Sequence, residues 1–262
     1  MRRIAELFSQ PGKKLVPYIT AGFPEKHNMP ELVLAAERAG ADMVEIGMPF
    51  SDPLADGPVI QRAGQRALEN GITVKIILEQ VRAIRRKSDI PLTLMGYINP
   101  LMKYGLEDFL RDASEAGVDG LILPDLPIEE GEAIYEEVKQ HGISPIILVA
   151  PNTPDERLAR IGALAKDLIY AVSILGITGS SVSDNTKLRN YLARIRKHTE
   201  TPFVVGFGIK TPEDAGAIAP MTNGVVVGTA LIESIETSDD PEEAVYEFLS
   251  ELKAAIRKVE VV

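Results

Sequence analysis

Eight short stretches, each apolar along almost its whole length, recur through the chain and are separated by segments of helical periodicity. They are LVPYIT from Leu15, DMVEIG from Asp42, LTLMGY from Leu92, GLILPD from Gly120, SPIILVA from Ser144, DLIYAVS from Asp167, PFVVGFG from Pro202 and GVVVGTA from Gly224. A strand with one face in water alternates polar and apolar residues. Runs without that alternation are buried on both faces, as parallel strands covered by helices are. The intervening segments, PELVLAAERAG and LEDFLRDASEAG among them, space apolar residues three and four apart and end on glycine, where a helix stops.

AERAGADMVEI from Ala36 is echoed by ASEAGVDGLIL from Ala113, both reading helix, glycine stop, aspartate, buried strand. Eight such βα units favour a closed (β/α)8 barrel, the TIM-barrel architecture within the α/β class. An open doubly wound sheet has roughly five to seven strands and a glycine fingerprint after the first. Gly22-Phe23-Pro24 is no such fingerprint. No linker or low-complexity stretch divides the 262 residues, so 1–262 reads as a single domain. Extra segments follow the second run, Met48 to Gly71, and the sixth, Gly176 to Asn185. Strand carboxyl ends all open on one face of a barrel, so both belong to the rim of a functional site.

Composition narrows what such a site does. A formal net charge of -10 repels nucleic acid and anionic membranes over most of the surface. A phosphorylated substrate is therefore expected to be held by local backbone N–H groups rather than by a basic field. The absence of cysteine excludes disulfides, a thiolate nucleophile and thiolate metal ligands. No run approaches the ~20 apolar residues of a membrane span, and MRRIAELFSQPGKK has no signal-peptide core. The expected location is the cytoplasm.

Glu45, in the middle of the second run, is the costliest residue in the pattern, because a lone carboxylate between two apolar faces loses its hydration. Two readings are open: an ion pair with a basic residue on a neighbouring strand, or a functional carboxyl whose pKa is raised by desolvation until it gives and takes protons near neutrality. The loop that follows holds three prolines and two more carboxylates, Asp52 and Asp56. Asp52 precedes Pro53 and suits a turn cap. Asp56 lies eleven positions after Glu45, far enough to return over the barrel mouth and face it. Two carboxylates in unlike environments divide proton transfer and charge stabilisation between them.

Asp125, at the end of the fourth run, suits either a functional role or loop ordering. Tyr97 and Tyr170 fall inside apolar runs, where most tyrosines are core residues with a satisfied hydroxyl. Gly206-Phe207-Gly208 and Gly228-Thr229 end the last two runs ahead of helical segments, the usual place of a barrel's phosphate cup. Gly179, in the long segment after the sixth run, adds a donor if that segment closes as a lid. His27, His141 and His198 lack ligand spacing, so no metal site is expected.

The run from Glu45 to Pro58, EIGMPFSDPLADGP, closely resembles the signature of the tryptophan synthase alpha subunit family. The likeness continues through Pro17 to Gly22, Tyr97 to Pro100, Asp125 to Pro127, Gly176 to Gly179, Gly206 to Gly208 and Val227 to Thr229, which is nearly the whole chain. Tyr18 and Thr229 stand where some members carry Phe and Ser, and Ile174-Leu175 replaces polar residues of some lids.

The resemblance implies a lyase that cleaves indole-3-glycerol phosphate to indole and glyceraldehyde 3-phosphate by a retro-aldol-type step. It implies Glu45 and Asp56 as the catalytic pair, with Tyr170, Tyr97, Phe207, Gly179, Gly208, Gly228 and Thr229 at the substrate. It also implies that Asp52, Pro53, Asn99, Pro100 and Pro127 face a beta-subunit partner. No cofactor is expected in this chain; pyridoxal phosphate belongs to that partner, which receives indole through a tunnel in an alpha2-beta2 tetramer. The rival readings are another phosphate-binding barrel isomerase or epimerase, and a non-catalytic activator of the beta subunit.

Overall fold

The apolar runs become the staves of a closed barrel. The computed structural model describes residues 3–172, 186–206 and 208–259. Among them β1 (Lys14–Thr20), β2 (Val44–Gly47), β3 (Leu92–Met95), β4 (Gly120–Ile122), β5 (Ser144–Val149), β6 (Ile169–Val172), β7 (Phe203–Gly206) and β8 (Gly224–Val227) run parallel and in sequence order. The barrel closes where β8 pairs with β1, Leu15 opposite Val225. Leu148 and Val172 are half-buried; every other strand residue is buried, as continuous apolar runs require.

The strands are shorter than the runs that announce them. β3 ends at Met95 and β4 at Ile122, so Tyr97 and Asp125 lie in the loops beyond, not within or at the end of strands as their apolar neighbours suggest. Hydropathy continues past the last ladder hydrogen bond because the first loop residues are also buried by the helices they lead into.

Those helices form the outer shell: α1 (Arg3–Ser9), α2 (Met29–Arg38), α3 (Pro58–Glu69), α4 (Val74–Arg85), α5 (Ile98–Tyr104), α6 (Leu106–Ala116), α7 (Ile128–Gln140), α8 (Asp155–Leu164), α9 (Thr186–His198), α10 (Pro212–Ile218), α11 (Thr229–Thr237) and α12 (Pro241–Lys258). The extra segment after β2 is a proline-rich loop followed by α3. α6 stops at Gly117, whose φ of 94° suits a residue without a Cβ, and whose N–H returns to the carbonyls of Ala113 and Ser114. A Cβ there would also meet the Arg85 side chain at 2.9 Å.

A repeated clasp closes the amino-terminal rim of the barrel. Asp42, just ahead of β2, donates its N–H to the Leu15 carbonyl at 2.9 Å and accepts the Leu15 N–H on its carboxylate at 2.7 Å. Asp119, ahead of β4, does the same with Leu92 at 2.8 and 2.9 Å, and Asn223, ahead of β8, with Phe203 at 3.0 and 3.1 Å. Asp167, ahead of β6, accepts the Ser144 hydroxyl at 2.6 Å. Each even strand is thus pinned to the odd strand before it. Asp42 and Asp119 are the aspartates of the sequence echo, and each lies 27 residues from its partner. Arg3 and Arg85 neutralise Asp119, and Lys253 neutralises Asp42, which ties α1, α4 and α12 to the barrel floor.

Candidate active site

Glu45 stands on β2 with Tyr18 and Thr93 as its register partners on either side. Alternation along a strand turns Val44 and Ile46 outward to the helices and Glu45 inward. Its side chain is 1% exposed, and its Oε2 is buried without a hydrogen-bond partner among the described residues. Among the described residues no basic side chain pairs with it, so the ion-pair reading of the sequence is not the one realised. Burial first, and the charge of Asp56 second, push its carboxyl up to about 8.

Asp56 lines the same cavity from the loop that Gly57 joins to α3. That loop is held at several points. The Gln61 amide donates to the Asp56 carbonyl at 2.8 Å, and the Ala55 N–H donates to the Tyr97 hydroxyl at 2.9 Å. Phe50 packs on the Tyr97 ring with centroids 5.4 Å apart. Burial raises the Asp56 carboxyl, while its hydrogen bond with the Tyr97 hydroxyl pulls it back down. Tyr97 does not line the cavity and meets the site through Asp56. Burial and its acidic neighbours push its own hydroxyl up to about 12.

The cavity is lined by apolar and polar groups together, Ile60, Met95, Ile209 and Val226 beside the two carboxyls, as ligand sites are. Tyr18, Glu45, Met95, Tyr170 and Val226 enter it from β1, β2, β3, β6 and β8. Two tyrosines are seated by glycines two residues further along the neighbouring strand. The Tyr18 hydroxyl lies where a Cβ on Gly47 would be, and the Tyr170 hydroxyl where a Cβ on Gly206 would be, each at 1.9 Å. Burial is the largest cause raising both phenols, with Glu45 among the further causes, so both remain neutral donors beside the carboxylates.

Gly208, Gly228 and Thr229 line the same cavity beside Lys210. Thr229 opens α11, and its N-cap, Gly228, offers no side-chain acceptor, so the first N–H groups of that helix are available to an anion. α10 differs: Thr211 and Asp214 form a capping box, and Asp214 also accepts the Lys210 N–H at 3.1 Å. Of the two helices that follow the glycine-rich strand ends, only α11 has an amino terminus left uncapped by a side chain among the described residues. Phe207, Gly179 and the lid segment lie outside the described residues.

Asp125 caps α5, accepting the Ile98 N–H at 3.1 and 3.2 Å, which realises the loop-ordering reading. Asp52 accepts the Ser51 hydroxyl on the outer surface of its loop. Asp52, Asn99 and Pro127 are exposed, Pro53 and Pro100 half-buried, all at the outer rim. Leu54, 92% exposed, and Met102, 57% exposed, share that region. Sequence reasoning passed over Lys210 and the apolar lining of Ile60, Met95, Ile209 and Val226. Lys210 follows Gly208 by two residues, the one local signal that marks it; the apolar residues look like any core position. Among the described residues no helix is long and apolar enough to cross a membrane.

The family model for the tryptophan synthase alpha chain matches residues 4–260. The tryptophan synthase alpha chain of Petrotoga mobilis is 45% identical over 241 residues, covering 92% of this chain and 93% of the relative. That of Geotalea uraniireducens is 42% identical over 265 residues and covers 99% of both. The crystal structure of tryptophan synthase subunit alpha from Legionella pneumophila superposes with a TM-score of 0.92 at 39% identity, covering 98% of this chain and 99% of that one. A structure of the tryptophan synthase a2b2 complex from Pyrococcus furiosus matches with a TM-score of 0.85 at 36% identity, over 92% and 98%. A match of this length and identity, on a barrel that brings Glu45 and Asp56 to one cavity, leaves one conclusion: the chain belongs to the tryptophan synthase alpha chain family.

Proposed function

We propose that Glu45 and Asp56 divide the chemistry of a single reaction in one catalytic domain spanning residues 1–262. The chain is a carbon–carbon lyase of tryptophan biosynthesis, cleaving indole-3-glycerol phosphate to indole and glyceraldehyde 3-phosphate. The observation that carries the division of labour is the buried Glu45 carboxyl, whose Oε2 has no hydrogen-bond partner among the described residues, in the same cavity as Asp56.

With its carboxyl raised to about 8, Glu45 is protonated at neutral pH and gives that proton to the ring carbon bearing the glycerol chain. The indole nitrogen then carries positive charge, which the Asp56 carboxylate stabilises. Glu45, now a carboxylate, takes the proton of the adjacent chain hydroxyl. The oxygen's electron pair forms the aldehyde carbonyl, the carbon–carbon bond breaks, and its electron pair restores the aromatic ring. One proton is given and one taken, so the enzyme is regenerated without a cofactor of its own.

Tyr18 and Tyr170 wall the ring site, Tyr97 holds the Asp56 loop, and the N–H groups at the start of α11, with the backbone at Gly208, receive the phosphate. Asp52, Pro53, Asn99, Pro100 and Pro127 dock a tryptophan synthase beta subunit that carries pyridoxal phosphate, in an alpha2-beta2 tetramer. The apolar Leu54 and Met102, left in water within that region, support this surface.

An indole-release assay with indole-3-glycerol phosphate tests the assignment. Glu45→Gln is expected to lose nearly all turnover and Asp56→Asn a large part of it, while a fully active Glu45→Gln enzyme overturns the mechanism. Purified beta subunit that neither binds the chain nor changes its turnover overturns the docking surface.

A further inference from the structure

We infer that Lys210 is a substrate-positioning residue whose ammonium pairs with the phosphate of the substrate. The inference deepens the reading of the phosphate end of the site and rests on it.

Lys210 lines the cavity together with Gly208, Gly228 and Thr229, and is the one cationic side chain among the described lining residues. Its ammonium has no ion pair or hydrogen bond among the described residues, although 38 acidic side chains compete for 28 basic ones in this chain. Its backbone, by contrast, is fixed: the Lys210 N–H is held by Asp214, inside the capping box that closes the start of α10. A flexible four-carbon stem thus leaves an anchored point beside the free amino terminus of α11. A lysine supplies phosphate with a point charge, which complements directional N–H donors rather than duplicating them.

The charge balance gives this arrangement a purpose. The Asp56 carboxylate at the ring end and a net charge of -10 repel a phosphorylated substrate at long range. The Lys210 ammonium, unpaired among the described residues, puts positive charge where the phosphate must enter. A merely solvated surface lysine would be indifferent to the ligand's phosphate.

The test compares wild type with Lys210→Met and Lys210→Arg. In steady-state cleavage of indole-3-glycerol phosphate, Lys210→Met is expected to raise KM roughly 5- to 30-fold, as loss of one solvent-accessible charged contact would, with the larger part of the loss in KM rather than kcat. Inhibition by glycerol 3-phosphate should weaken by a similar factor, inhibition by indole should hold, and Lys210→Arg should restore most of the KM. Equal weakening toward glycerol 3-phosphate and indole would mean a general structural role and overturn the inference, as would a Lys210→Met KM within twofold of wild type. If wild type itself releases no indole, the reaction assignment fails. Calorimetric binding of glycerol 3-phosphate to wild type and Lys210→Met then still decides the role of Lys210.

Discussion

The Tyr170 hydroxyl occupies the space that a Cβ on Gly206 would need, 1.9 Å from its position, so the end of β7 is shaped by a side chain of β6. Gly206→Ala therefore forces Tyr170 out of its seat at the cavity wall. The expected cost is about 1–3 kcal/mol, the range for overpacking a dense core, together with a raised KM. Urea unfolding and steady-state kinetics measure both. Gly206→Ala combined with Tyr170→Leu should cost less than the sum of the single changes, since the second removes the oxygen that the first displaces.

Glu45 gives the enzyme a characteristic pH response. Its carboxyl is raised from an ordinary 4.5 to about 8, so the fold favours the neutral form. That contribution to stability is complete below the unfolded pKa and is lost as pH rises through the folded one. Wild type should thus lose stability, on the order of a few kcal/mol, between pH 5 and 9, and Glu45→Gln should show a flatter profile. The same group should place an alkaline limb near pH 8 in kcat/KM; stability curves of equal slope in the two proteins would contradict the assignment.

Tyr97 controls Asp56 from outside the cavity. Its hydroxyl accepts the Ala55 N–H and lowers the Asp56 carboxyl, which must be ionised to stabilise a cationic ring. Tyr97→Phe removes both effects. The Asp56 carboxyl then rises, the acid limb of kcat/KM moves to higher pH, and the plateau falls about tenfold, as loss of one positioning hydrogen bond would cause. A pH–rate profile superimposable on wild type would refute this.

Asp119 is a stability residue with no part in the chemistry. It accepts from Arg3, Arg85 and the Leu92 N–H, and its side chain is 3% exposed. Asp119→Ala leaves the buried Leu92 N–H without its acceptor and takes the carboxylate from two half-buried guanidiniums, an expected loss of about 2–3 kcal/mol. Asp167→Ala, which gives up one hydroxyl bond, should cost about 1 kcal/mol. Denaturation midpoints rank the two, and KM of the folded Asp119→Ala enzyme should stay near wild type.

The apolar runs, their helical spacers and the count of eight were readable directly, because periodicity is a local property of neighbouring residues. Glu45 stood out for the same reason: a carboxyl in an unbroken apolar run conflicts with its own neighbours, whatever the fold around it. The Ala36 and Ala113 echo was equally visible, aspartates included. What those aspartates hold was not, because Leu15 and Leu92 become their partners only when the register of β1 with β2 and of β3 with β4 is set. Tertiary structure alone ended β3 before Tyr97, turned Asp125 to the Ile98 N–H, left the amino terminus of α11 free while closing that of α10, and brought Lys210 to the cavity. Sequence patterns report which surfaces must leave water. The choice of partners follows from where a closed barrel brings strand ends and loops together, and that depends on all eight staves at once.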